Sequence, residues 1–172
     1  MSDIFYYTGK AKIDVRIFTF PGGEVGVNVN QFEIDESVPH ITLCCRLRDS
    51  VGVMALLMAK DALERVYPMA KIHLRMGYIP YARQDRVCND GEALSAKVFA
   101  NLINSQNFET VVVADPHSSV SVSLLNRALV LPQHYIFKDV HRSWDRITIL
   151  APDAGAAKKA EDFAQVVGAK GV

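Results

Sequence analysis

The apolar positions of this chain change period as it runs, and each change marks an element. Ile4 to Tyr7 and Val15 to Phe20 are rich in β-branched and aromatic residues and read as strands, with a turn at Thr8-Gly9-Lys10. Pro21-Gly22-Gly23 is a turn signal, and Val25, Val27 and Val29 alternate after it with small or polar residues, so a second strand pairs back. Phe32 and Ile34 extend that edge, and Ile41 to Cys45 is a short apolar strand. Asp49 or Ser50 caps a helix that runs to about Tyr67 and stops at Pro68. Its first turns are apolar nearly all round, the mark of a buried helix.

Ile72, Leu74 and Met76 alternate as a strand until Pro80 interrupts the pattern. The loop that follows holds Arg83, Gln84, Asp85 and Arg86. Asn89 with Glu92 three residues on resembles a capping arrangement, so a helix is predicted from about Glu92. Leu94, Val98 and Leu102, with Phe99 and Ile103, make its apolar face. Thr110 to Ala114 is a β-branched strand ending at Asp115-Pro116-His117, and Ser118 to Leu125 a short helix. Tyr135 to Phe137 and Ile147 to Leu150 read as strands, and Ala157, Ala160, Phe163, Ala164 and Val167 line a last helix. Alternating strands and helices predict an α/β fold, a mainly parallel sheet with helices on both faces. In such folds ligands bind at the carboxyl ends of strands, where the loop after Met76 lies.

At 172 residues the chain suits one domain able to bury a sizeable core, and 49% hydrophobic content makes it globular. Nineteen basic residues balance nineteen acidic ones, so no global charge points to nucleic acid or to a membrane surface. Cys44, Cys45 and Cys88 show neither a disulfide framework nor metal-ligand spacing, and a reducing cytoplasm suits them. The start, Met-Ser-Asp-Ile, lacks the pattern of a signal peptide, and the apolar run Val53 to Ala59 is too short to span a bilayer. The end, Gly168 to Val172, follows a helix where a further strand is expected, which suggests a truncated or divided protein.

Chemistry concentrates in four places. Arg83 and Arg86 put two guanidiniums in one loop, able to hold phosphate oxygens by paired hydrogen bonds, with Gln84 as a neutral contact. A solvated loop with an Arg–Asp pair is the plainer account. Asp115-Pro116-His117-Ser118 offers a carboxylate and an imidazole for Mg²⁺ or its waters, or else a cap and turn. Asp153 follows a strand and precedes a helix, where it serves as an N-cap or as half of a divided metal site with His117. Phe20-Pro21-Gly22-Gly23-Glu24 is a hairpin turn whose Phe and carboxylate could also recognise adenine. The Walker, dinucleotide-binding and nucleophile-elbow glycine patterns are all absent from the sequence.

Taken in order, these places resemble the motifs of the ribose-phosphate pyrophosphokinases (phosphoribosyl pyrophosphate synthetases). Tyr78-Ile79-Pro80-Tyr81-Ala82-Arg83-Gln84-Asp85-Arg86 is similar to the family's Pro-Tyr-aromatic-Gly-Tyr-Ala-Arg-Gln-Asp-Arg/Lys, with Ile79-Pro80 in place of aromatic-Gly. Phe20 to Glu24 resembles Phe-x-Asp-Gly-Glu, Asp115-Pro116-His117 resembles Asp-Leu-His, and Ala151 to Lys158 resembles Ser-Pro-Asp-Ala-Gly-Gly-Ala-Lys. The helix from Ser95 to Leu102 resembles Thr/Ser-Ala-Lys-Leu-Val-Ala-Asn/Asp-Leu. The resemblance implies a phosphoribosyltransferase-like α/β fold and the amino-terminal, ATP-binding domain of a larger enzyme. That enzyme would transfer diphosphate from ATP to ribose 5-phosphate, giving phosphoribosyl diphosphate and AMP. It implies ATP contacts at Phe20, Gly22, Gly23, Glu24, Arg83, Gln84 and Asp85, with Gly22 standing where the family has Asp. It also implies magnesium at His117 and Asp153, and a homo-oligomer that shares the Phe20 loop between subunits. The family's catalytic Lys loop and acidic ribose-phosphate loop would lie beyond residue 172, leaving no catalytic residue to assign and the piece alone inactive. Two departures are visible here: the helix usual between the first two strands has no room in Thr8 to Asp14, and Cys88 to Glu92 replaces a basic regulatory stretch. A non-catalytic regulatory subunit derived from the family, or a metal-dependent phosphohydrolase, are the rival readings.

Overall fold

A computed structural model describes residues 3–9, 11–29, 37–137, 139–140 and 143–172. The edge expected at Phe32 and Ile34 lies outside those residues. The chain divides into two compact units, Met1–Val130 and Leu131–Val172.

The first unit is built on a sheet of order β3-β2-β1-β4-β5-β6-β7. Its strands are β1 (Ile4–Tyr7), β2 (Lys12–Thr19), β3 (Val25–Val29), β4 (His40–Cys45), β5 (Lys71–Met76), β6 (Val111–Ala114) and β7 (Ala128–Leu131). A tight turn, in which the Thr8 N–H donates to the Ala11 carbonyl at 3.3 Å, sends β1 straight into β2. The half of the sheet from β3 to β4 is therefore antiparallel, whereas β4, β5 and β6 run parallel. β7 escaped the sequence reading because its central residues Leu129 and Val130 are exposed and carry no alternation.

The parallel strands are linked by α1 (Ser50–Val66) and α2 (Ser95–Ser105). Asp49 caps α1, accepting from the Gly52 N–H at 2.8 Å. Successive right-handed crossovers that step one way along a sheet place their helices on the same face. That face carries Tyr6, Leu43, Leu74 and Met76, buried in one core with Leu56, Ala59 and Leu63 of α1 and Phe99 and Ile103 of α2. Burying each such side chain contributes roughly 1.5–3 kcal/mol, so this layer holds the parallel strands and fixes their carboxyl ends. Lys60, buried among these residues, keeps its charge paired with Glu64 and lies 5.4 Å from the Phe108 ring centroid.

Three expectations for helix starts and strands are corrected. α2 begins at Ser95, not near Glu92. The Glu92 carboxylate accepts from the Cys88 and Asn89 N–H groups at 3.0 and 3.1 Å, which closes a separate turn before the helix. In the second unit, Tyr135 to Phe137 belong to a short helix, α4 (Gln133–Phe137), rather than to a strand. Three apolar residues in a row fit either period, and the turn in which Tyr135 donates to the Pro132 carbonyl selects the helix. Ile147 to Leu150 form only an isolated parallel bridge between Thr148 and Gly171. The last helix, α5 (Ala157–Val167), buries Ala160, Phe163 and Ala164 as its spacing predicts, and stops at Gly168 in the left-handed region at φ 70°. Phe163 meets Trp144 edge to face at 5.3 Å within this unit.

Candidate functional site

β5 and β6 are parallel neighbours, paired from Leu74–Val111 to Met76–Val113. Their carboxyl ends therefore open side by side, and each is followed by one of the candidate loops. Ile79, Pro80 and Ala82 are buried and anchor the first loop. Between them Tyr81 takes the left-handed conformation, φ 62°, which is uncommon for a bulky residue. This turns the ring back towards α2, with its centroid 5.9 Å from Phe99. The next residues, Arg83 and Gln84, are left exposed. Backbone strain of this kind gathers at functional sites.

The loop also completes the helix behind it. Leu94 at the start of α2 has no side chain that can cap. The Gln84 carbonyl supplies the acceptor instead, taking the Ala96 N–H at 3.2 Å. Gln84 thus has a backbone role while its amide side chain faces solvent.

The second loop starts at Asp115, again left-handed at φ 40°, and leads to exposed His117. Ser118 then caps α3 (Ser119–Ser123), and its hydroxyl donates to the Asp85 carboxylate at 2.9 Å. Ser121, 2% exposed, donates to the Ala82 carbonyl at 3.3 Å. Two hydrogen bonds therefore tie the loops together. The structure brings Arg83, Gln84 and Asp85 into one assembly with Asp115, His117 and Ser118. Asp85 spends part of its acceptor capacity on this latch. From the sequence Tyr81 was only a flanking aromatic of the arginine loop, Ser118 only part of a cap-and-turn stretch at the head of a short helix, and Ser121 had no role.

The hairpin Phe20–Glu24 stands apart. β2 runs in the direction of β4, since both are antiparallel to β1, so the hairpin projects from the same end of the sheet. Three strand spacings separate β2 from β5, roughly 14 Å. In register β2 also continues beyond Ile4 and Cys45 by four residues, from Arg16 to Thr19, roughly 13 Å. At its tip the Phe20 N–H donates to the Glu24 carbonyl at 2.8 Å and the Gly23 N–H to the Phe20 carbonyl at 2.9 Å. Gly23 sits at φ 92°, open only to glycine at low cost. The Glu24 carboxylate folds over Gly22, so a Cβ there would come within 2.5 Å of it. Phe20 is 51% exposed and meets Phe18 edge to face at 5.1 Å.

Asp153 lies in the second unit. Its carboxylate accepts from the Ala156 N–H at 2.9 Å and caps a single 3-10 turn, Ala154–Ala156. Among the described residues no group of three or more His, Cys, Asp or Glu side chains is disposed to hold a metal ion. No described helix is long and apolar enough to cross a membrane.

A family model described as the N-terminal domain of ribose phosphate pyrophosphokinase matches residues 1–106. A ribose-phosphate pyrophosphokinase of Aquifex aeolicus is 33% identical over 96% of this chain and 54% of its own length. One from Saccharolobus solfataricus is 30% identical over 92% of the chain and again 54% of its own length. The chain thus spans about half the length of the curated relatives it matches. In fold it is similar to a crystal structure of phosphoribosylpyrophosphate synthetase from Mycobacterium smegmatis, with TM-score 0.67 over 91% of this chain, 53% of that chain and 24% identity. The matched profile begins at residue 1 and runs through β5, the Arg83 loop and α2; on that evidence the chain belongs to the ribose-phosphate pyrophosphokinase family.

Proposed function

We propose that this chain forms the ATP-binding part of a ribose-phosphate diphosphokinase. In that reading the anomeric hydroxyl of ribose 5-phosphate attacks the β-phosphorus of ATP, and AMP leaves. The observation that carries the reading is the latched pair of loops at the ends of β5 and β6, with Arg83 and Gln84 exposed on a strained, anchored turn. Transfers of this type depend on positioning and charge neutralisation more than on covalent chemistry by the protein. Arg83 would hold phosphate oxygens by paired hydrogen bonds, and Gln84 would add a neutral donor. Asp85 would act chiefly by fixing the loop through Ser118.

Magnesium would neutralise the polyphosphate and orient it. His117 and Asp153 are each assigned to its side of the reaction, through its water shell. Phe20 would stack on adenine, with Gly22, Gly23 and Glu24 shaping the contact. The hairpin leaves the same end of the sheet as the β5 loop but three strands to the side, and its tip extends past the sheet; in this reading the adenine it meets is that of a second copy, in a homo-oligomer. In this reading the groups that complete catalysis and bind ribose 5-phosphate come from outside the half of the relatives' length that this chain spans.

Calorimetric titration of a non-hydrolysable ATP analogue with Mg²⁺ tests the reading. Binding should weaken in both Arg83→Ala and His117→Ala. Binding that is unchanged in both variants overturns the assignment. A steady-state rate from the 172-residue chain comparable to an intact synthetase, and abolished by Arg83→Ala, would show that the chain needs no further part.

A further inference from the structure

The second face of the sheet in the first unit has a composition of its own. α1 and α2 cover the opposite face, and a tight turn, with no helix, joins β1 to β2. Strand register sets its rows. Tyr7 pairs with Lys12 and with Thr42; two residues along, Phe5 pairs with Cys44, which pairs with Arg75. One step further, the Arg46 N–H donates to the Asp3 carbonyl at 2.8 Å. A polar solvated face is the usual state of an antiparallel sheet. Here the face is concave instead, a cleft of about 560 Å³ lined by Phe5, Tyr7, Lys12, Arg46, Arg48 and Arg75. That volume falls in the ordinary range for a small-molecule site.

Its charge is lopsided. Four cations meet one carboxylate in the lining, that of Asp3, which pairs with Arg48 at 3.1 Å. Lys12 pairs with Asp14 at 3.5 Å and also lies 4.3 Å from the Phe5 ring centroid. Neither Arg46 nor Arg75 has an ion-pair partner among the described residues. Arg75 stands beside Cys44 on the floor, near enough that it and Lys12 pull against the rise that burial gives the thiol. At the other end the Tyr7 ring is 41% exposed and meets Phe5 edge to face at 5.5 Å. From Thr42, beside Tyr7, to Arg46 is four strand residues, roughly 13 Å. An exposed ring at one end, the Arg75 guanidinium in the middle row and that of Arg46 at the far end match a flat heterocycle joined by a sugar to phosphate groups.

We propose that this cleft binds a nucleotide, its base against Tyr7 and its phosphates against Arg46 and Arg75. The site is separate from the loop that carries Arg83, since it lies on the sheet face and uses none of that loop's side chains. The two assignments therefore stand or fall independently.

The probe is ADP without added metal, titrated into the Arg83→Ala chain so that the nucleotide site proposed above is weakened. A saturable binding event should remain. Adding Arg75→Val or Arg46→Ala should weaken it about tenfold or more, the cost of one lost charge-assisted contact. Adding Tyr7→Ala should weaken it several-fold. Inorganic diphosphate should bind more weakly than ADP. Unchanged melting of each variant confirms that folding is intact, and two independent arginine variants guard against one that fails to fold. No binding of millimolar ADP to Arg83→Ala, or binding indifferent to Arg75 and Arg46, overturns the site. Diphosphate that binds as tightly as ADP overturns the nucleotide assignment.

Discussion

The loop after β5 and the hairpin between β2 and β3 are assigned to the same ligand, yet they are built on opposite principles. The loop is welded to the scaffold. Its apolar residues Ile79, Pro80 and Ala82 are buried, Asp85 receives the Ser118 hydroxyl, and the Gln84 carbonyl caps α2. The hairpin is a two-stranded ribbon extending past the sheet, held at its tip by its own backbone hydrogen bonds. A group that must meet a phosphate in fixed geometry gains from a rigid mount, because preorganised donors need no rearrangement on binding. A stacking ring that must reach a neighbouring molecule gains from projection. Stability and binding should therefore separate cleanly between the two regions.

The largest effect should come from the mount itself. Leu74, fully buried in β5, supports the loop, and Leu74→Ala should cost about 2–5 kcal/mol of stability in denaturant unfolding. Phe20→Ala at the hairpin tip should stay within about 0.5 kcal/mol and instead weaken ATP binding, provided the protein is oligomeric. Equal losses in the two variants would break the comparison. Next, Arg83→Ala should reduce ATP affinity by about 1.5–3 kcal/mol, the usual worth of a hydrogen bond to a charged group, with the melting temperature unchanged.

Ser118→Ala sharpens the same contrast, since it removes both the α3 cap and the Asp85 contact. It should cost about 0.5–2 kcal/mol in stability and weaken nucleotide binding only through a looser loop, an effect that added magnesium should not reverse. A melt indistinguishable from the unmodified chain would remove the latch from the account.

The smallest effect concerns neither region but the far end of the parallel strands. His73 accepts or donates at 3.0 Å to His40 and at 2.8 Å to Thr110. Burial, and then the neighbouring His40, hold its pKa below the ordinary histidine value of 6.5. The unfolded chain therefore takes up this proton first as pH falls. The contribution of neutral His73 is fully present above about pH 6.5 and fades as pH drops through the lower folded value. Urea midpoints measured from pH 8 to pH 5 should fall, and His73→Gln should flatten that slope without touching nucleotide affinity.

Much of the fold was legible because local chemistry and tertiary packing agreed. Asp49 and Pro68 bracket α1, the Pro21-Gly22-Gly23 turn joins β2 to β3, and Ala160, Phe163 and Ala164 fall on one side of α5. Reading failed where they competed. Glu92 looked like the start of a helix but spends its carboxylate on a preceding turn. Tyr135 to Phe137 were too few to show a period. The arginine loop was visible as a motif, whereas its left-handed Tyr81, its latch to Ser118 and its capping of α2 were not.

By itself the sequence determined which motifs point to the family and which segments alternate as strands and helices, because motifs, periodicity and turn preference are properties of neighbours a few residues apart. Only the tertiary structure decided that Asp85 meets Ser118 across 33 residues, that β1 and β2 close without a helix, and that Tyr7, Arg46 and Arg75 line one open cleft. Those outcomes follow from strand order and register. Both are set by how the whole apolar face packs, and no local window contains that information.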